Sequence, residues 1–356
     1  MYAIQGTGNG HISRAKDIIP ILQQQGELDI LVSGTQADIR LPYNITYDFK
    51  GLSFIFGKKG GIDILDTYKK ADFKRLLKEI YCLPVEKYDI IINDFEPVSA
   101  WACYIKNKPC IALSHQSAVL NKNAPQPKMI DLPGRSVLKN YAPSTIQYGF
   151  HFKVYDKNIF TPVIRNEVRA MQLQNKKYYT VYLPAYADER IIKVLGEFKN
   201  IEWQVFSKHN KSPMKQKNIS VYPISNEAFI KSMAAAEGVL CGAGFETPAE
   251  ALFMQKKLMV IPMKGQYEQQ CNAAALKDMG VPVIKSLKKK HADAIRTWLN
   301  ADNRIAVNYP DTTANIINTI FCSASKNIQP LKTVKKIDSP KRLRDYILKK
   351  IFAQLT

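Results

Sequence analysis

Two groups of residues in this chain have types and spacings that could do chemistry. The first is Gly6-Thr-Gly-Asn-Gly-His-Ile-Ser-Arg-Ala. Small residues there let a backbone approach a ligand, and free N–H groups at a helix start favour anions or oxygen-rich groups. The glycines fall at 6, 8 and 10, without the spacing of a dinucleotide fingerprint, and no Lys-Ser/Thr pair follows as in a P-loop, so nicotinamide cofactors and ATP recede. His11 at the end of the turn is a candidate general base, with Gly8, Asn9 and Gly10 on the acceptor side. Asn93-Asp94-Phe-Glu96-Pro follows the apolar run Tyr88 to Ile92, which puts both carboxylates at the ligand end of a strand. Asp94 is balanced between function and helix capping; Glu96, an acceptor-side candidate, leans towards capping the helix that Pro97 opens. His115, after the run Cys110 to Leu113, stands at the same rim as a further acceptor-side candidate, whereas His151, His209 and His291 read as ordinary residues.

The second group is Cys241-Gly242-Ala-Gly244-Phe245-Glu-Thr247-Pro-Ala-Glu250, followed by Lys257-Leu-Met-Val-Ile-Pro262 and Glu268-Gln269-Gln-Cys-Asn272-Ala. A strand ending in a glycine turn, then a helix with Pro in its first turn, aims free amides and the positive end of the helix dipole at a ligand. That arrangement suits a diphosphate without a metal. Glu250, one turn on, can accept the two hydroxyls of a ribose, and Glu268 with Gln269 suits sugar hydroxyls.

These residues need elements to position them. Short β-branched runs alternate with helical stretches from Tyr2 to Leu113 and again from Tyr178 to Ile284, with Gly and Pro between them. The expected fold is therefore α/β: two Rossmann-like doubly wound domains facing across a cleft, with ligand loops at the C-terminal ends of the strands. A poorly periodic stretch from about Asn121 to Tyr148 precedes a last strand expected at His151 to Asp156. The domains are drawn at 1–157 and 158–325. Residues 326–356 hold 9 Lys/Arg against 2 Asp, and Leu343, Ile347, Ile351 and Leu355 recur at i, i+4. That pattern predicts a basic amphipathic helix packed on the body, with an anionic membrane as the second use of its charge.

Lys and Arg number 51 against 31 Asp and Glu, a net charge of +20 that attracts phosphate in any form. Without an aromatic-studded basic face, nucleic acid is not an expected partner. The six cysteines are scattered with no CxxC pair, no apolar run is long enough to span a membrane, and the first residues lack signal-peptide character; a cytoplasmic protein is expected.

GTGNGH, GAGFETPAEAL and the Pro262 to Ala273 block together resemble glycosyltransferases of the GT-B fold, of the MurG-like and UDP-glycosyltransferase-like kind. The resemblance implies an inverting, metal-independent, cofactor-free hexosyltransferase, with cell-envelope or polysaccharide synthesis as a setting. Its UDP-sugar or other NDP-sugar donor would sit in the C-terminal domain and its carbohydrate or lipid-linked acceptor in the N-terminal one. It further implies His11 as base with Asp94 orienting it, Gly244 and Thr247 at the diphosphate, with Gly242 and Phe245 in the same turn, Glu250 at the ribose, and Glu268 with Gln269 at the sugar. Where many relatives carry a His opening the glycine block, this chain has Gly242, and Glu246 brings a negative charge beside the expected diphosphate. A UDP-sugar 2-epimerase on the same fold and a non-catalytic basic protein binding sugar or nucleic acid are the alternative readings.

Overall fold

Strands buried on both faces read as continuous apolar runs, because helices cover a parallel sheet on either side. Tyr2–Gln5 (β1) is such a strand, with all four residues buried. The computed structural model describes residues 1–34, 41–52, 72–302, 304–324, 331 and 340–352. It divides into two compact units: Met1–Ala124 with Met129–Val163 and Pro310–Thr356, and Pro125–Lys128 with Ile164–Tyr309.

The first unit carries β1, β2 (Ile30–Ser33), β3 (Tyr47–Phe49), β4 (Ile92–Asp94), β5 (Ile111–Ser114), β6 (Ile146–Phe150) and β7 (Ile159–Phe160). They form one parallel sheet in the order β3-β2-β1-β4-β5-β6-β7. The chain builds outward from β1, then returns to its other side at β4, so the switch point lies between β1 and β4.

The expected strand at His151 to Asp156 is not formed; β6 comes earlier, starting inside the stretch read as aperiodic and ending at Phe150. That stretch also holds a helix, Leu132–Asn140, begun by Asp131 accepting the Gly134 N–H and by a proline in its first turn. Nine residues with a single buried position, Val137, give too little apolar period to read.

The second unit carries β8 (Lys176–Tyr182), β9 (Glu202–Ser207), β10 (Met214–Gln216), β11 (Ile219–Pro223), β12 (Ala236–Gly242) and β13 (Lys257–Ile261), in the order β10-β11-β9-β8-β12-β13. Only the β10–β11 pair is antiparallel. Its switch point lies between β8 and β12, and its core gathers Tyr179, Trp203, Leu240, Met259 and Trp298.

The unit boundaries differ from the 157/158 and 325/326 breaks read from the sequence. The first unit runs on to Val163, and the chain re-enters it at Pro310. The helix Thr313–Ala324 packs on the helix Asn9–Gln23, and Tyr148 donates to Ser323 Oγ at 2.7 Å. The basic helix spans Pro340–Phe352 and lays Leu343, Ile347 and Ile351 into the core around Trp101, Val137 and Tyr141. Tyr346 stands edge-on to Trp101 and 2.8 Å, oxygen to oxygen, from Tyr104. Lys341, Arg342, Lys349 and Lys350 are exposed. Leu355, and residues 64–71 within the alternating stretch read from Tyr2 to Leu113, lie outside the described residues.

Candidate active site

In the first unit Ile4 of β1 lies beside Asp94 of β4, so the loops that leave these strands start side by side. Gly8 turns the chain with φ +92° and ψ 160°, a conformation that suits glycine. The helix Asn9–Gln23 follows at once with no side-chain cap. Asn9, Gly10 and His11 thus occupy its first turn.

His11 Nδ1 lies 2.8 Å from Asp94 Oδ1. Arg14, one helical turn past His11, donates to both Asp94 oxygens at 2.8 Å and is itself buried. Burial of the Asp94 carboxyl would raise its pKa, but the Arg14 cation and His11 outweigh it and hold the group below the usual carboxylate range. Asp94 is therefore an anion, and an Nδ1–H donating to it leaves Nε2 as the acceptor end of the ring. The His11 side chain keeps 13% of its surface exposed, and Gln116 Nε2 lies 3.4 Å from its Nε2.

Phe95 stacks near the His11 ring at 6.5 Å with 9° between planes. It takes φ +58°, uncommon for a large side chain. Asn93 holds that turn, donating to the Glu96 carbonyl at 2.7 Å and accepting the Glu96 N–H at 3.0 Å.

Glu96 and His115, both read as acceptor-side residues, are withdrawn into the unit. Glu96 is fully buried and accepts from Val98 N–H, Ser99 N–H, Ser33 Oγ and Ser99 Oγ at 2.6–2.7 Å. Burial lifts its carboxyl above the ordinary range despite these donors, and its role is to cap the helix Pro97–Ile105. His115 is 2% exposed, with Nδ1 2.8 Å from the Phe150 carbonyl and its ring edge-on to His151.

In the second unit β12 runs into the turn Ala243–Phe245 and the helix Glu246–Phe253, whose start has no side-chain cap. A Cβ on Gly244 would meet nothing within 4 Å, so packing does not demand glycine there. Asn272, fully buried on the helix Tyr267–Asp278, donates to the Ala243 carbonyl at 3.2 Å, and Gln269 Oε1 accepts the Met263 N–H at 2.9 Å. The block read as sugar-binding thus also pins the turn. Phe245 is buried, while Gly242, Gly244, Thr247 and Glu268 are half-buried.

Glu250 is 3% exposed, and Arg165 Nε and Nη2 donate to its two oxygens at 2.5 and 2.8 Å. Arg165 Nη1 donates to Glu167 Oε1 at 2.6 Å and to Asn226 Oδ1 at 2.7 Å. Arg14 and Arg165 were both missed. The i+3 spacing from His11 was a usable signal for Arg14; nothing in the sequence joins Arg165 to a residue 85 positions away.

Among the described residues no three His, Cys, Asp or Glu side chains sit together to hold a metal, and no helix is long and apolar enough to cross a membrane.

Two parallel-sheet α/β units, each with a glycine turn and an uncapped helix at its switch point, define the GT-B class of glycosyltransferases. The description "Glycosyl transferase family 1" matches residues 1–301, and the chain belongs to that family. No curated protein sequence matches it. Among solved structures it is similar to Arabidopsis thaliana UGT89C1 complexed with UDP-L-rhamnose (11% identity, 98% of both chains, TM-score 0.54). It is also similar to Acinetobacter baumannii MurG (13% identity, 98% of this chain and 99% of that one, TM-score 0.51). A third similar structure is the glycosyltransferase SnogD from Streptomyces nogalater (11% identity, 90% of this chain and 99% of that one, TM-score 0.50). The protein is a glycosyltransferase enzyme.

Proposed function

We propose that the enzyme is an inverting, metal-independent transferase that moves a sugar from UDP to an acceptor hydroxyl. The observation that carries this reading is the His11–Asp94 pair at 2.8 Å, anchored by Arg14. Nε2 takes the proton of the acceptor hydroxyl as its oxygen forms a bond to the anomeric carbon. The bond from that carbon to the diphosphate oxygen breaks, and its electron pair leaves with UDP. One displacement inverts the centre. The uncapped start of the helix Glu246–Phe253, with Gly244 and Thr247, meets the charge growing on the diphosphate. Glu250, held by Arg165, retains lone pairs for the ribose hydroxyls, and Glu268 with Gln269 reads the sugar.

A UDP donor is supported by the neighbours solved with UDP or a UDP-sugar. The exposed Lys and Arg of the helix Pro340–Phe352, whose apolar side is packed, serve as a peripheral contact with an anionic membrane, at the inner face of the plasma membrane.

The test is UDP release across a panel of UDP-sugars, with and without membrane extract. UDP release that requires an added acceptor is the expected result, and no release with any donor together with no calorimetric UDP binding would overturn the reading.

A further inference from the structure

In the first unit a groove of about 250 Å³ runs under the helix Leu132–Asn140, along the sheet face that carries Asn93, Ala112 and Gln147. Those three residues are neighbours in register across β4, β5 and β6. Two of the residues lining the groove also flank the candidate base: Phe95 stacks near the His11 ring, and Gln116 sits 3.4 Å from Nε2. A molecule filling the groove is thus one side chain away from the atom that takes the proton.

The walls have a distinct chemistry. Phe95, Leu120 and Leu138 make an apolar face, and Arg135 and Lys139 stand one helical turn apart on the covering helix. Both cations are exposed, and no carboxylate lines the groove among the described residues. Two like charges at i, i+4 oppose each other, and an anion between them relieves that while making charge-assisted hydrogen bonds.

We propose that the acceptor is an amphiphile with an apolar body and an anionic group, a carboxylate or a phosphate. Its apolar part lies on Phe95, Leu120 and Leu138, its anion meets Arg135 and Lys139, and its reacting hydroxyl reaches His11. This rests on the transferase reading above and adds the substrate class. Arg135 and Lys139 are then specificity residues.

The experiment measures calorimetric binding of three probes to the full-length, UDP-loaded protein: 3-phenylpropionate, phenyl phosphate and the neutral 3-phenylpropan-1-ol. At least one anionic probe binds about 10-fold or more tighter than the alcohol, as a charged hydrogen bond provides, and the tighter of the two anions identifies the group. In the Arg135→Gln, Lys139→Gln double variant that preference collapses while UDP affinity and Tm stay as in the wild type. A Lys211→Gln, Lys215→Gln double variant in the second unit retains it. Equal affinity of charged and neutral probes in the wild type, or a preference that survives in the groove variant, overturns the proposal. Absence of UDP binding in the wild type is a separate failure, and it sinks the transferase reading itself.

Discussion

Arg165 holds Glu250 by both carboxylate oxygens, a two-point grip within one buried unit between residues 85 positions apart in sequence. The grip fixes the carboxylate plane and leaves a lone pair on each oxygen pointing elsewhere.

Glu250→Gln keeps the size of the side chain but removes the charge, and should weaken UDP binding by about 1.5–3 kcal/mol. Arg165→Gln should also weaken it, through loss of orientation. The double variant should lose less than the sum of the two, because the residues act as one device. Calorimetry with UDP reads all three proteins; additive losses would separate Arg165 from the site.

His11→Ala should leave UDP affinity nearly intact and cut turnover by ~100-fold or more, the size of a lost general base. Steady-state kinetics beside UDP calorimetry checks this. Turnover near the wild-type level would mean that a group other than His11 takes the proton.

Asp94 carries a pH signature. Its folded-state pKa is depressed, so its contribution to stability is present above the unfolded carboxylate value of ~3.9 and is lost as pH falls through the lower folded value. Asp94→Asn strands Arg14 in the interior and should cost about 3–5 kcal/mol near neutrality. Urea unfolding at pH 7 and pH 3 should show the gap between variant and wild type narrowing in acid. A gap that does not change with pH would show that the ionised form is not what stabilises the unit.

The basic helix offers two separable readouts. Leu343→Ala or Ile347→Ala deletes atoms from the core around Trp101 and should destabilise the protein by about 2–5 kcal/mol in chemical denaturation.

Neutralising Lys341, Arg342, Lys349 and Lys350 should leave stability nearly unchanged and abolish salt-sensitive sedimentation with anionic vesicles. Equal recovery with neutral and anionic lipid in the wild type would leave the helix as a packing element alone.

Much of the fold could be read in advance because parallel strands must be apolar on both faces: β1, β5, β12 and β13 stand out as runs bounded by Gly or Pro. The short β7 and the helix Leu132–Asn140 could not, since two strand residues and one buried helical position make no period. The residues alone put His11 and Asp94 at the ends of strands, and their pairing came from the resemblance to GT-B glycosyltransferases; in the structure they lie 2.8 Å apart. Arg165, which anchors Glu250, could not be read, because an ion pair across 85 residues leaves no local pattern, whereas Arg14 stands one helical turn past His11 and was there to be found. Glu96 and His115 lie at that same rim in sequence yet are buried: Glu96 satisfies the helix start behind it, and His115 faces the Phe150 carbonyl of the neighbouring strand.

The return of residues 310–324 and 340–352 to the first unit has a consequence for synthesis. Leu343, Ile347 and Ile351 fill a core whose other walls, Trp101 and Tyr141, leave the ribosome roughly 200 to 250 residues earlier. At ~5–20 residues per second that interval is about 10 to 50 s. During it the nascent first unit exposes the apolar seat of its own last helix, while the second unit, contiguous apart from residues 125–128, has every part of its core in hand. The second half of the chain is thus able to finish folding before the first, and a ribosome stalled short of residue 340 releases a sticky, incomplete product for chaperones to hold.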